Sequence, residues 1–223
     1  MTVSFVPTRR FAVIPRRRNR HRRRHPPPSS RRRRSCSRRV PSRSSLYKSQ
    51  DLFQDLEALF IGAFEKLSSE YPTITLNPLR VDTFSSSFPR RHKEFRLVAT
   101  TNLFGDILSD QASGLAGGVG LAPSLNAGGD HAMAQAVHGT APDIAGKGLA
   151  NPAALILSTA QLLNWLYQRA REPACRSTAQ LLQHGVAGAI GGGTHTVDLG
   201  GSAGTSGFAK AVIAAMRNAG KAA

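Results

Sequence analysis

The chain has 223 residues and is 40% hydrophobic, enough for one large or two small domains with a substantial core, and it carries a formal net charge of +17. It contains no run of about 18 apolar residues and no apolar segment with a cleavage site after the start, which leaves no membrane-spanning or secretory reading. Two cysteines, Cys36 and Cys175, exclude a disulfide framework and suit a reducing compartment, cytoplasmic or mitochondrial.

The charge is confined to one end. Residues 1–50 hold 16 Arg, one Lys and no acid, whereas residues 51–223 hold 13 basic and 13 acidic residues. The first segment also carries the triplet Pro26, Pro27, Pro28, serine clusters and only three aromatics (Phe5, Phe11, Tyr47), too little apolar surface to offset its ordering entropy. Residues 1–46 therefore read as a disordered Arg-rich arm. Such an arm could bind nucleic acid or another anionic surface through its charge. A mitochondrial targeting helix is weakened by Pro7, Pro15 and the Pro triplet.

Beyond the arm, Asp51 to Ser69 has apolar residues at 52, 53, 56, 59, 60, 63, 64 and 67, the spacing of an amphipathic helix packed on a sheet. Thr73 to Val81 alternates and predicts a strand ending at Asp82. Thr83 to Phe95 reads as helical, and Leu97 to Thr101 as a second β-rich run. Asn102 begins a helix that the glycines from Gly114 to Gly120 break. A short strand is expected at Ala132 to Val137, a helix from about Asn151 to Arg169, a last strand at Thr194 to Leu199 and a closing helix from about Ser206 to Asn218. The pattern is mixed α/β without repeats.

Three places could carry chemistry. Asp106 and Asp110, at i and i+4 in a helical run with Leu103, Ile107 and Leu108, project from one face. Two carboxylates so placed suit a hard divalent cation such as Mg²⁺ or Mn²⁺, although an arbitrary pair of this kind is more often a solvated face. His138 to Asn151 is a glycine-bearing loop in which Gly139 and Gly146 permit a tight backbone, while Asp143 and Asn151 taken alone read as a turn residue and a helix cap. Lys48 closes the basic arm and taken alone is a solvated lysine.

The strings NLFGDILSD (Asn102–Asp110) and HGTAPDIAGKGLANP (His138–Pro152) resemble the isocitrate and isopropylmalate dehydrogenase family, which oxidises and decarboxylates 2-hydroxy acids with NAD or NADP. YPTITLNPLRVD (Tyr71–Asp82), EFRLVATTN (Glu94–Asn102) and HTVDLGGSAGTSGFAKAVIAAM (His195–Met216) extend the resemblance. It covers roughly residues 46 to 223 and looks like the C-terminal half of a complete enzyme. It implies an incomplete isopropylmalate dehydrogenase-like three-layer α/β fold over 47–223, preceded by the arm. The substrate-binding arginines and catalytic tyrosine of relatives have no recognisable counterpart, which puts activity in doubt. The resemblance also offers a further account of the arm, as sequence foreign to the ancestral enzyme, such as a mispredicted or rearranged 5′ end. This account carries the most weight, because the arm stands where the other half would be.

The resemblance assigns roles. Asp82, Asp106 and Asp110 would hold Mg²⁺ or Mn²⁺, with Asp82 reaching into a neighbouring subunit, which implies a homodimer or a heterodimer with a paralogue. Lys48, in YKSQ, resembles the family's base, although relatives read Lys-x-Asn where this chain has Gln50. His138 and Asn151 would contact adenine, with Gly139 in the same cofactor loop. Asp143 would accept from the ribose hydroxyls, which favours NAD over a 2′-phosphorylated cofactor. The implied activity is oxidative decarboxylation of a malate-type 2-hydroxy acid such as isopropylmalate, isocitrate or tartrate. The rivals are a non-catalytic partner subunit of a complete paralogue and a nucleic-acid binder acting through the arm.

Overall fold

The computed structural model describes residues 43–48, 58, 60–66, 75–95 and 97–221, and the chain divides between Val98 and Ala99 into two units. In the first, strand β1 (Arg43–Lys48) pairs in parallel with β2 (Thr75–Arg80), and a three-residue β3 (Leu97–Ala99) completes the order β2-β1-β3. Pro78 lies in β2, an edge strand, where a missing N–H leaves no gap in a central ladder. The register sets Lys48 opposite Arg80, so the ends of both parallel strands meet at one side of the sheet.

The expected strand stops at Arg80, earlier than Val81, and the chain turns straight into helix α1 (Val81–Arg91). Asp82 therefore occupies the helix's first turn rather than a strand end, and its carboxylate accepts from the Thr83 N–H there. Phe84 is buried and packs on Phe88 and, edge to face, on Phe95 at ring distances of 4.9 and 4.8 Å. Pro89 removes an N–H from the last turn, and the helix gives way to a 3₁₀ turn over His92–Glu94, held by an Arg91–Glu94 ion pair of 2.6 Å. Residues 60–66 are helical, in keeping with part of the helix expected over 51–69; the remainder of that segment lies outside the described residues. So does the arm, except that β1 takes in Arg43–Leu46 from its end.

The second unit begins with helix α2 (Asn102–Ala116), which ends as Gly117 and Gly118 take positive φ and the Gly118 N–H returns to Ser113 O at 2.8 Å. A 3₁₀ turn (Val119–Leu121) leads to the antiparallel hairpin β4 (Pro123–Ala127) and β5 (Ala132–Ala136), of which only the second strand was expected. The loop after β5 feeds helix α3 (Ala153–Ala170), then α4 (Pro173–Gly191) and the closing helix α5 (Thr205–Lys221). The core joins Ala153, Val186, Ala189, Phe208 and Val212 across α3, α4 and α5. α4 and α5 approach so closely that a Cβ on Gly185 would stand 3.1 Å from the Val212 carbonyl.

Two expectations fail in this unit. No helix was anticipated over 173–191, although Glu172-Pro173 is a start signal: Pro sits at the first helical position and the Glu172 carboxylate accepts from the Ala174 N–H. The strand expected at Thr194–Leu199 is a 3₁₀ turn (Val197–Leu199) with a single bridge from Thr196 to Ala203. Its β-forming residues are drawn into a turn because Thr196 Oγ1 and the Thr196 carbonyl bond forward, to Asp198 and to the Leu199 and Gly201 N–H groups. Among the described residues no helix is long and apolar enough to cross a membrane.

Ser158, fully buried in α3, ties the hairpin to the helices. Its hydroxyl accepts from the Ser124 N–H of β4 at 3.1 Å and lies 2.7 Å from the Gln135 carbonyl of β5. Ser158→Ala leaves both backbone groups without that partner and should cost about 1–3 kcal/mol, measured as a lower denaturant midpoint at unchanged slope.

Candidate functional site

In the first unit, the carboxyl ends of two parallel strands are where an α/β sheet offers its ligand crevice. Lys48 ends β1 there, opposite Arg80, and Asp82 follows two residues later. Asp82 is exposed and engaged. Arg80 donates to it through Nε at 3.3 Å and Nη2 at 3.1 Å, and Thr83 donates through its backbone N–H at 2.5 Å and its hydroxyl at 3.1 Å. The Thr83 N–H bond is the main reason its carboxyl is held below the ordinary aspartate value of 3.8; desolvation opposes it, and the Arg80 guanidinium and the Thr83 hydroxyl add to the lowering.

In the second unit, Asp106 and Asp110 lie one turn apart on the exposed face of α2, flanked by Leu103 and Ile107, which are 65% and 58% exposed. The helical spacing is as expected, but of the three apolar residues that suggested it only Leu108 is buried. Neither carboxylate has a hydrogen bond or ion pair among the described residues, so both oxygen pairs are open to an incoming cation. That all-oxygen donor set fits Mg²⁺ or Mn²⁺. Among the described residues no three His, Cys, Asp or Glu side chains gather into a metal-binding group, so the pair stands as two ligands, not a complete set.

The segment from His138 to Asn151 is an exposed loop with a 3₁₀ turn at Pro142–Ile144. Ala141 takes φ 45, and Gly146 and Gly148 take φ 73 and 65, so the backbone turns through the left-handed region at three places in the loop. Its end is pinned rather than paired. Thr205, at the start of α5, donates its N–H to Gly148 O at 2.7 Å and its hydroxyl to Ala150 O at 2.5 Å. Gly204 has no room for a side chain, since a Cβ would meet the Gly148 carbonyl at 2.9 Å. The N–H groups of Gly146, Gly148, Leu149, Ala150 and Asn151 donate to no backbone carbonyl among the described residues. Asp143 is exposed without a partner among them, and the His138 ring makes only a 3.0 Å contact with the Gly139 carbonyl.

Asn151 differs from its neighbours. It is 8% exposed, and both ends of its amide are used: Oδ1 accepts from the Ala153 N–H at 2.9 Å and Nδ2 donates to Asp198 at 3.0 Å. Asp198 also accepts from Thr196 Oγ1 at 2.5 Å, and Gly120 lies against Asp198 and Asn151 so tightly that any Cβ there would collide with the Asp198 carboxylate. Sequence reasoning missed Asp198, Thr196, Gly120 and Thr205. Thr196 and Asp198 were legible as residues of the strand expected at 194–199 and, with Thr205, as part of the family-like string His195–Met216, without a role assigned to any of them.

Comparison with known proteins bears on these placements. The isocitrate/isopropylmalate dehydrogenase family model matches residues 44–212. The chain is 40% identical over 162 residues to the isocitrate/homoisocitrate dehydrogenase of Thermus thermophilus, covering 73% of this chain and 46% of that protein. It is 41% identical over 155 residues to the 3-isopropylmalate dehydrogenase of Methanothermobacter thermautotrophicus, covering 70% and 45%. A mitochondrial isocitrate dehydrogenase (NAD) catalytic subunit 5 of Arabidopsis thaliana is 38% identical over 171 residues, covering 76% and 44%. The solved isocitrate dehydrogenase of Methylococcus capsulatus superposes with a TM-score of 0.72 at 35% identity, over 79% of this chain and 51% of that one. The chain thus spans about half the length of the curated relatives it matches. With matching motifs, matching fold and this extent of identity, the chain belongs to the isocitrate/isopropylmalate dehydrogenase family of decarboxylating 2-hydroxy acid dehydrogenases.

Proposed function

We propose that the chain serves NAD- and Mg²⁺- or Mn²⁺-dependent oxidative decarboxylation of a malate-type 2-hydroxy acid of the isopropylmalate, isocitrate or tartrate kind. The observation that carries this reading is the exposed loop 138–151, with left-handed turns at Ala141, Gly146 and Gly148 and, among the described residues, unspent backbone donors and an Asp143 carboxylate without a partner. His138, Gly139, Asp143 and Asn151 bind the adenosine end of NAD. Asp143 takes the ribose hydroxyls as an acceptor, and its charge disfavours a 2′-phosphate. The setting is mitochondrial or cytoplasmic, and two relatives from Arabidopsis thaliana are named as mitochondrial.

Asp106 and Asp110 hold the metal from one protomer, and Asp82 is the carboxylate lent by a second copy or a paralogue. When bound, the metal polarises the substrate's 2-hydroxyl and the keto oxygen that replaces it. Lys48 is the base for the hydroxyl proton, acting from the same strand-end edge as Asp82. This shared placement also favours a second reading, in which the chain is a partner subunit that lends Asp82 and Lys48 to a complete paralogue. For Asp82 to serve a cation, Arg80 must release it.

Calorimetric titration of the full chain with NAD should show binding that Asp143→Ala weakens by about tenfold while narrowing the preference over NADP. Equal binding by both proteins would remove Asp143 from the site. Mn²⁺ affinity, followed by water-proton relaxation, should fall about 10- to 100-fold on combining Asp106→Asn with Asp110→Asn. An unchanged affinity would remove that pair. For Asp82, a carboxyl NMR titration should find a midpoint below 3.8 that rises in Arg80→Gln. Because the folded value is depressed, its stabilising effect is complete above the unfolded value and is lost as pH falls through the folded one.

A further inference from the structure

The Asn151 amide has little left to offer a ligand, since Asp198 and the Ala153 N–H engage its two ends and the residue is buried. Resting on the nucleotide reading above, we infer that Asp198 is a positioning residue: through Asn151 it fixes the end of the cofactor loop, so that backbone N–H groups from Gly148 to Asn151 meet the nucleotide. The Asn151 side chain acts as the loop's anchor.

The geometry of Asp198 supports this division of labour. One carboxylate oxygen takes Asn151 Nδ2 and the other takes Thr196 Oγ1, so both are committed within the protein. Thr196 is itself a fixed post. It is fully buried, and its carbonyl accepts from the Leu199 and Gly201 N–H groups, each at 3.0 Å. Gly120 closes the remaining side, because only a residue without Cβ lets the Asn151–Asp198 pair sit where it does. An anion buttressed in this way holds an amide in one of its two flipped states, since the reversed amide would turn its oxygen toward the carboxylate.

The test uses the full chain with NAD as probe, in wild type, Asp198→Ala, Asp198→Asn and Thr196→Val. Asp198→Asn keeps an oxygen for Asn151 and offers an N–H to the Thr196 hydroxyl, so it preserves the anchor without the charge. Asp198→Ala should weaken NAD binding by about tenfold or more, Thr196→Val by about threefold, and Asp198→Asn by less than Thr196→Val. Backbone ¹⁵N order parameters at 148–151 should fall in Asp198→Ala and recover in Asp198→Asn, with those of α4 unmoved. Wild-type binding by Asp198→Ala overturns the inference, as does an Asp198→Asn variant as weak as Asp198→Ala. If Asp198→Ala does not fold, Thr196→Val decides, and unchanged affinity in that variant overturns it. If wild type binds no NAD, the nucleotide reading fails by itself. The anchor then stands or falls on whether the order parameters at 148–151 drop in Asp198→Ala and recover in Asp198→Asn.

Discussion

A loop that must present bare peptide N–H groups to a ligand cannot satisfy them in secondary structure of its own. Its shape has to be imposed from outside. In this chain the segment from Gly146 to Asn151 is held at its carbonyls by Thr205 and at its end by the Asn151–Asp198 pair, while among the described residues its N–H groups other than that of Lys147 stay unspent. These bonds span 55 and 47 residues of sequence. They make the start of α5 and the turn at 197–199 part of the loop's construction, and Gly120 adds the turn that follows the two-carboxylate helix. The rest of the second unit serves the same arrangement: the α3, α4 and α5 core fixes Thr205 and Asp198 relative to Asn151.

The carboxylates are treated differently in the two units. Asp106 and Asp110 project from α2 without partners among the described residues, whereas Asp82 is clasped by Arg80 and the Thr83 N–H. A carboxylate already neutralised by a guanidinium gains less from an incoming cation than a free one, because the cation must displace the existing partner. The free pair is therefore the stronger half of the proposed metal site. Leu103 and Ile107 beside it add apolar surface to the same exposed face, which accounts for a helical pattern that placed the residues on a helix without telling which side would be buried.

The elements legible in the sequence were those whose local pattern and tertiary setting agree. α2, α3 and α5 appeared close to their observed bounds because their apolar spacing and their terminal glycines, Asn or Thr point the same way. α4 was hidden by Gly185, Gly188 and Gly191, which depress helix propensity, although the first two permit the close approach of α5. The strand expected at 194–199 failed for the converse reason: Thr and Val favour extended structure, yet side-chain and carbonyl bonds from Thr196 fold the segment into a turn. Within the site, the candidate residues were legible by type and spacing. Asp198 was not, because its role depends on a partner 47 residues away.

The dependence of the loop on α5 has a temporal side. A chain emerging from the ribosome completes the loop residues well before Thr205, which opens the helix that runs to Lys221. The loop's carbonyls meet their partners only once Thr205 has been made. Until then the segment is an unanchored stretch rich in glycine. The loop's arrangement is thus acquired only once the start of α5 has been made, and a product stopped short of residue 205 would keep every loop residue while lacking these partners.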